Sequence, residues 1–438
     1  MRLTQYLQVA KKAKKFVWEA KNVYRRSPLR WKNANLGTRF KQLWKHQISI
    51  YKEPPSFQPH FLDEQGIEVV NPLARTPNEK WEQSVPDDPR FIEIEPSDHP
   101  DWHDEPLLCV NKRVRLVEGE KQACILTKTQ PFDGLPPSVQ ELVGKEEIPY
   151  QDDLMQRAIL QAHCWDTTQE KLPKRYNKQI PGWKYKAEWG IPQEKIVHIL
   201  YSNILRLCSS VSTRYPEILT TRRLNEDAYV NTNYQHNGTP IMIKGSHQYL
   251  ITSDRPLAPF ADETMVDDSV QHTMPDLFPL FPTIDLHKTN LYTMENNTGW
   301  QMPYSHNIPH TLFVSNGTKL WNPDQLNANS MMFLFGHLIA HAKAKYGADA
   351  TTLPEPISGQ CVHTNGIDFH LIFYQLNTLD FSSTEGIKNF VWFDRSNRLF
   401  EKRVPKRAML RNTKYEDYDP VVFKKLLAVY LNGIPRHS

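Results

Sequence analysis

Apolar residues recur at three- and four-residue steps from the start of the chain: Leu3, Tyr6, Leu7, Ala10, Ala13, Phe16, Val17, Ala20, Val23 and Tyr24 would line one face of a helix. Residues 27 to about 105 then scatter Pro, Trp and charge without a period, as in VPDDPRFIEIEPSDHPDWHDEP from Val85, and predict an extended arm with little regular structure. The stretch LVEGEKQACILTKTQ from Leu116 reads as a helix or a hairpin up to Thr129. A short helix follows Leu135, with Pro136 suited to its first turn. Longer helices are predicted over 152–164 and 193–213, the second placing Ile196, Ile199, Leu200, Ile204, Leu207 and Val211 on one face. From Asp227 the period changes: AYVNTNYQ, the turn His236-Asn237-Gly238 and TPIMIKG predict a hairpin, with further strands over 283–292, 310–314, 360–363, 369–377 and 389–394. Two helices in this half carry clear punctuation. One opens with Asn322 as cap and Pro323 behind it and stops at Gly347. The other opens with Asp419-Pro420, stops at Gly433, and is expected to bury Phe423, Leu426, Leu427 and Tyr430. The elements add up to an α+β protein, a mixed and largely antiparallel sheet with packed helices behind a long irregular N-terminal arm. The expected organisation is a leader over 1–30, an arm over 31–105 and a body over 106–438, helical over about 116–220 and sheet-rich over about 221–438.

Charge changes the picture at the N-terminus. The first fifty residues hold thirteen Lys or Arg against the single acid Glu19, and removing those thirteen and one turns the net charge of +4 (53 basic, 49 acidic) into −8. A basic, acid-poor amphipathic start is the pattern of a mitochondrial transit peptide, and Arg25-Arg26 before Ser27-Pro28 suits a processing site. A solvated charge run or an RNA-binding arm is the competing reading. With 33 Pro against 17 Gly and 39% apolar residues, much of the chain is expected to lie extended on a partner, as a component of an assembly does. The five cysteines are widely spaced and form no CxxC, which fits free thiols. The longest apolar run, MMFLFG from Met331, is too short to cross a bilayer, so no membrane partner is expected.

Catalytic signals are weak. His337 and His341 stand four apart, but HLIAH lacks the glutamate of a zinc hydrolase, and packed helix-face histidines are the commoner case. Asp98, His99, Asp101, His103 and Asp104 read as a solvated loop. No phosphate-cradling glycine loop and no nucleophile elbow occur, so no catalytic residue, cofactor, metal or small-molecule substrate is expected. Basic residues interleaved with aromatics are better represented, and such mixtures neutralise phosphates and stack on unpaired bases. Three segments qualify as candidate RNA-binding residues: Arg30, Lys32, Arg39, Lys41 and Lys45 beside Trp31, Phe40 and Trp44; Lys174, Arg175, Lys178, Trp183, Lys184, Tyr185 and Lys186 within 171–189; and Lys402, Arg403, Lys406, Arg407 and Arg411 before the last helix. An exposed loop with tucked-in tryptophans accounts for the middle segment equally well.

Several central segments resemble a known family: VRLVEGEKQACILTKTQPFDGLP from Val114, PTIDLHKTNLYTMENNTGWQMPY from Pro282, IPHTLFV from Ile308, and FHLIFYQLNTLDF with EGIKNFVWFD from Phe369 onward. In that order they resemble mitochondrial large-subunit ribosomal protein thirty-seven, whose relative is programmed cell death protein nine, and the resemblance runs from about Val114 to the C-terminal helix. It implies a non-catalytic structural role in the large subunit of the mitochondrial ribosome, in the matrix. The implied partners are mitochondrial rRNA and other large-subunit proteins, the paralogous relative above all. Composition alone equally suits a matrix RNA-binding factor outside the ribosome, and more weakly a metal-dependent hydrolase using His337 and His341.

Overall fold

The computed structural model describes Gly66, residues 96–165, 170–172, 174, 179, 180, 182, 189–277, 281–300, 303–315, 321–403 and 414–435. The amphipathic N-terminal helix expected from the sequence and most of the arm lie outside the described residues. The chain divides into two compact units, and every described helix and strand belongs to the second, Ile94–Ser438.

The elements of this unit are β1 (Trp102–Val110), α1 (Glu120–Leu126), β2 (Thr129–Asp133), α2 (Pro137–Gln140), α3 (Gln151–Leu160) continued by a π-helical turn (Gln161–Trp165), β3 (Glu170–Lys171), β4 (Trp189–Gly190), α4 (Gln193–Ser209), α5 (Glu217–Thr221), β5 (Arg222–His236), β6 (Thr239–Ser253), α6 (Glu263–Asp268), β7 (His287–Leu291), β8 (Ile308–Ser315), α7 (Pro323–Tyr346), β9 (Thr352–Thr364), β10 (Asp368–Thr378), β11 (Asn389–Arg398), β12 (Glu401–Arg403), β13 (Lys414–Glu416) and α8 (Pro420–Leu431). Nine strands make one sheet in the order β2-β11-β10-β9-β8-β6-β1-β7, with β5 paired to β6. The pairs β1/β6, β2/β11 and β8/β9 are parallel and the other five antiparallel. This is the α+β class expected from the sequence.

Both faces of the sheet are buried, and side-chain alternation sorts the strands between two cores. On β10, Ile372, Tyr374 and Leu376 join the core around α7 and α1, while Phe369, Leu371 and Phe373 join the core under α3, α4 and α8. The β5–β6 hairpin closes through Asn237 (φ 48°) and Gly238 (φ 75°), left-handed positions that a two-residue turn of this hand requires, and His236 pairs with Thr239.

Helix α7 is enclosed on every side. It touches β5, β6, β8, β9, β10 and α1, so every residue from Asn327 to Ala342 is buried, as a helix apolar all round should be. Asn322 and Gln325 cap it reciprocally, the Asn322 backbone N–H donating to Gln325 Oε1 at 3.1 Å. Helix α8 begins as expected at Pro420, with Asp419 Oδ1 accepting from Val421 N at 2.9 Å. Phe423, Leu426 and Leu427 are buried, but Tyr430 is only half-buried, because it turns toward an open groove beside α4.

Other expectations are corrected. The inward face of α4 is Val197, Leu200, Tyr201, Ile204, Leu205 and Cys208, with Val211 in the following turn; Ile196, Ile199 and Leu207 pack only at its margin. Tyr201 fixes that rotation: its hydroxyl lies 2.9 and 3.0 Å from the carbonyl oxygens of Val314 and Val362 and donates into the β8–β9 seam. Pro136 precedes α2 as its cap, and Pro137 holds the first helical position. Of the strand expected over 283–292, only His287–Leu291 pairs, because Leu286 N closes a turn onto Thr283 O. The strands β1 and β2, which the sequence did not announce, complete the sheet.

Candidate nucleic-acid interface

The tight turn between β9 and β10 organises one end of the molecule. Its own polar side chains satisfy its amides: Thr364 Oγ1 accepts from Gly366 N at 2.9 Å, and Asn365 Oδ1 accepts from Ile367 N and Asp368 N at 2.9 and 2.8 Å. Three carbonyls of the turn then serve as docking points. Asn365 O accepts from Gln193 Nε2 at 2.8 Å, Gly366 O from His163 Nε2 at 3.2 Å, and Ile367 O from Leu399 N at 2.9 Å. The start of α4, the end of the α3 π-turn and the chain leaving β11 are thereby gathered at one place.

Two of the basic segments leave from this place. The segment 171–189 is closed at its base by the β3–β4 ladder, which pairs Glu170 with Gly190 and Lys171 with Trp189. Gly190 lies three residues before α4, within about 11 Å of its first turn. The segment 402–414 is closed in the same way by β12 and β13, which pair Lys402 with Tyr415 and Arg403 with Lys414. An aromatic cluster joins the β12–β13 base to the π-turn after α3: His163 lies 5.1 Å from Phe400 and 5.4 Å from Tyr415, and Phe400 lies 5.2 Å from Tyr415, measured between ring centres. Cys164, next to His163, lies beside Tyr415. Burial and the neighbouring Lys402 charge pull the His163 imidazole down to about 4, against a partial lift from its Gly366 bond, so the joint is neutral at physiological pH. Burial, reinforced by Cys164, pushes the Tyr415 hydroxyl upward.

Around the joint the surface combines flat rings with cations. Trp165 is 58% exposed and Trp189 66% exposed, while Lys171, Lys174 and Lys402 are exposed. Of the residues singled out by sequence, Lys174 and Lys402 are thus on this surface, and Arg403 is in β12. Arg175, Lys178, Trp183, Lys184, Tyr185, Lys186, Lys406, Arg407 and Arg411 lie outside the described residues, as do Arg30, Lys32, Arg39, Lys41 and Lys45. Sequence reasoning missed His163, Trp165, Phe400 and Tyr415. Only Trp165 carried a usable signal, as an aromatic residue a few positions ahead of a basic run.

The histidines considered for metal binding sit elsewhere. His337 is buried in α7 with its ring 5.8 Å from that of His247, and its Nε2 has no hydrogen-bond partner among the described residues. His341 lies buried beside the Asn307 backbone. His103 stacks on Tyr292 at 4.1 Å and its Nε2 donates to Tyr292 O at 3.0 Å. No group of three or more potential ligands gathers among the described residues.

Comparison with known proteins gives this geometry its setting. A protein named large ribosomal subunit protein mL37 from Gallus gallus is 34% identical over 352 residues, 76% of this chain and 77% of its own. The chain belongs to the mL37 family. Members of the same name from Bos taurus and Rattus norvegicus are each 31% identical, over 79% and 82% of this chain and 80% and 83% of theirs. Residues 251–433 also match the family model described as mitochondrial 28S ribosomal protein S30 (PDCD9). That description names the other subunit, but it rests on the shorter match, whereas the mL37 relatives align along most of both chains. For this mL37-family chain the large subunit is the better-supported setting.

Proposed function

We propose that this protein is a built-in, non-catalytic component of the mitochondrial large ribosomal subunit, supporting mitochondrial translation by holding rRNA and neighbouring proteins in place. The observation that carries the ribosomal setting is alignment along three quarters or more of the chain with relatives named for the large subunit. Its N-terminal thirty residues act as the matrix-targeting leader, on the strength of their basic, acid-poor amphipathic pattern. Its RNA-facing side is the end where the 171–189 and 402–414 segments share the His163–Phe400–Tyr415 joint. Cations there neutralise phosphate while Trp165 and Trp189 offer stacking faces to unpaired bases. Pairing with a paralogous PDCD9-family protein belongs to the same proposal; the match of residues 251–433 to that family's model supports the kinship on which it rests.

Ultraviolet cross-linking in intact large subunits tests the RNA-facing side. Cross-links from rRNA to peptides containing Trp165, Lys174 or Trp189 are the expected result, and Trp189→Ala should remove those at its own position. Cross-links confined to the opposite end of the sheet, near β7, would contradict it.

A further inference from the structure

A wide cleft lies away from the basic joint. It is an open groove of about 530 Å³ between the C-terminal half of α4, helix α5 and the first residues of β5, with Tyr430 of α8 at one end. Helix α4 links the two places. Its first turn docks on Asn365 beside the joint, and Arg206 on the groove lies about 20 Å further along the axis.

The groove has an apolar floor and a basic rim. Leu219 and Leu224 are 60% and 47% exposed and stand beside the buried Leu205, Ile218 and Ile251, so the groove offers apolar side chains to a partner. Arg206 and Arg223 are exposed on the rim. Arg206 donates only to Asn203 Oδ1, and Arg223 only to the carbonyls of Leu219 and Arg222, so neither meets a carboxylate among the described residues. Among the described residues the lining carries one acid, Glu226. Of the two rings that line the groove, Tyr249 is buried and bonded to Ser202 at 2.8 Å, and Tyr430 is half-buried. An apolar floor with no fully exposed ring favours polypeptide over RNA, and two arginine forks that meet no carboxylate among the described residues favour an acidic one.

We infer that this groove is a docking site for a segment of a neighbouring polypeptide that places apolar side chains over Leu219 and Leu224 and an Asp or Glu between Arg206 and Arg223. The chain would then hold RNA at one end of α4 and protein at the other.

The test is photocross-linking in native large subunits, with p-benzoylphenylalanine at position 219 of the full chain. The expected adduct is with one polypeptide, at a segment carrying an acid beside apolar residues. Arg223→Glu should lower its yield about tenfold, and changing the contacted acid to Lys should restore it. Arg223 is exposed and no ion pair involves it among the described residues, so thermal unfolding of the free Arg223→Glu protein should match that of the unsubstituted chain. An adduct on rRNA, an adduct on a segment without a carboxylate, or no adduct at all would overturn the inference. None of these outcomes would move the chain out of the large subunit, so the groove can fail while the ribosomal reading stands.

Discussion

At the scale of single residues, buried groups with few partners make the sharpest predictions. Burial pulls the His337 imidazole down to about 3, and burial, aided by the Lys345 charge, pulls His341 down to about 4. An unfolded histidine titrates near about 6.5, so the unfolded chain takes up the proton first as pH falls. Each histidine's contribution is therefore intact above about pH 6.5 and is lost progressively toward its folded value, at about 1.4 kcal/mol per pH unit. His337→Leu should flatten the fall in stability of the isolated protein between about pH 6 and pH 4, read by urea unfolding across that range. An unchanged slope would mean that His337 is hydrated after all. Arg222 makes a different case. It is buried, burial lowers it to about 10, and its guanidinium donates to the carbonyls of Tyr430 and Asn432 at the end of α8. His310 Nε2 also donates to Asn432 O, at 3.1 Å, so Arg222→Ala removes only part of the cap. The expected loss is about 1–3 kcal/mol in chemical denaturation.

At the scale of elements, close packing sets the outcome. Leu427 is buried on α8 between that helix and the sheet, and Leu427→Ala should cost about 2–5 kcal/mol in the same measurement. Gly336 allows α7 to approach β6: an added methyl group would meet Ile243 Cγ2 at 2.8 Å. Alanine gains about 1 kcal/mol of helix propensity over glycine, but overpacking against a β-branched neighbour costs about 1–3 kcal/mol, so Gly336→Ala should be neutral to destabilising rather than stabilising. The elements also divide by how far the sequence announces them. The Asn237-Gly238 hairpin and the ends of α7 and α8 were legible because a turn residue, a cap and a helix-stopping glycine each act within a few residues. The rotation of α4 was not: ILYSNILRLC is apolar on more than one face, and the choice between Ile199 and Tyr201 is made by carbonyls of Val314 and Val362, more than a hundred residues away. β2 was hidden by Pro131 and its short length, both tolerated because it is an edge strand.

For the whole molecule, the basic segments were legible as composition but their meeting was not. Nothing local relates residues 171–189 to 402–414; the β9–β10 turn brings them together through His163, Gln193 and Leu399. A single RNA-facing end predicts coupling. Removing charge at Lys174 and at Lys402 together should weaken rRNA retention by more than the two single losses combined, read as the salt concentration that releases the protein from purified subunits. The claim on which the rest depends is that the protein is built into the large subunit. The most direct test is sedimentation of native protein from lysed mitochondria, at low and moderate salt, against markers for both subunits. Comigration with the large subunit at both salt levels, in proportion to its other proteins, is the predicted result. Recovery at the top of the gradient, or release already at moderate salt, would contradict it and make the protein a free RNA-binding factor.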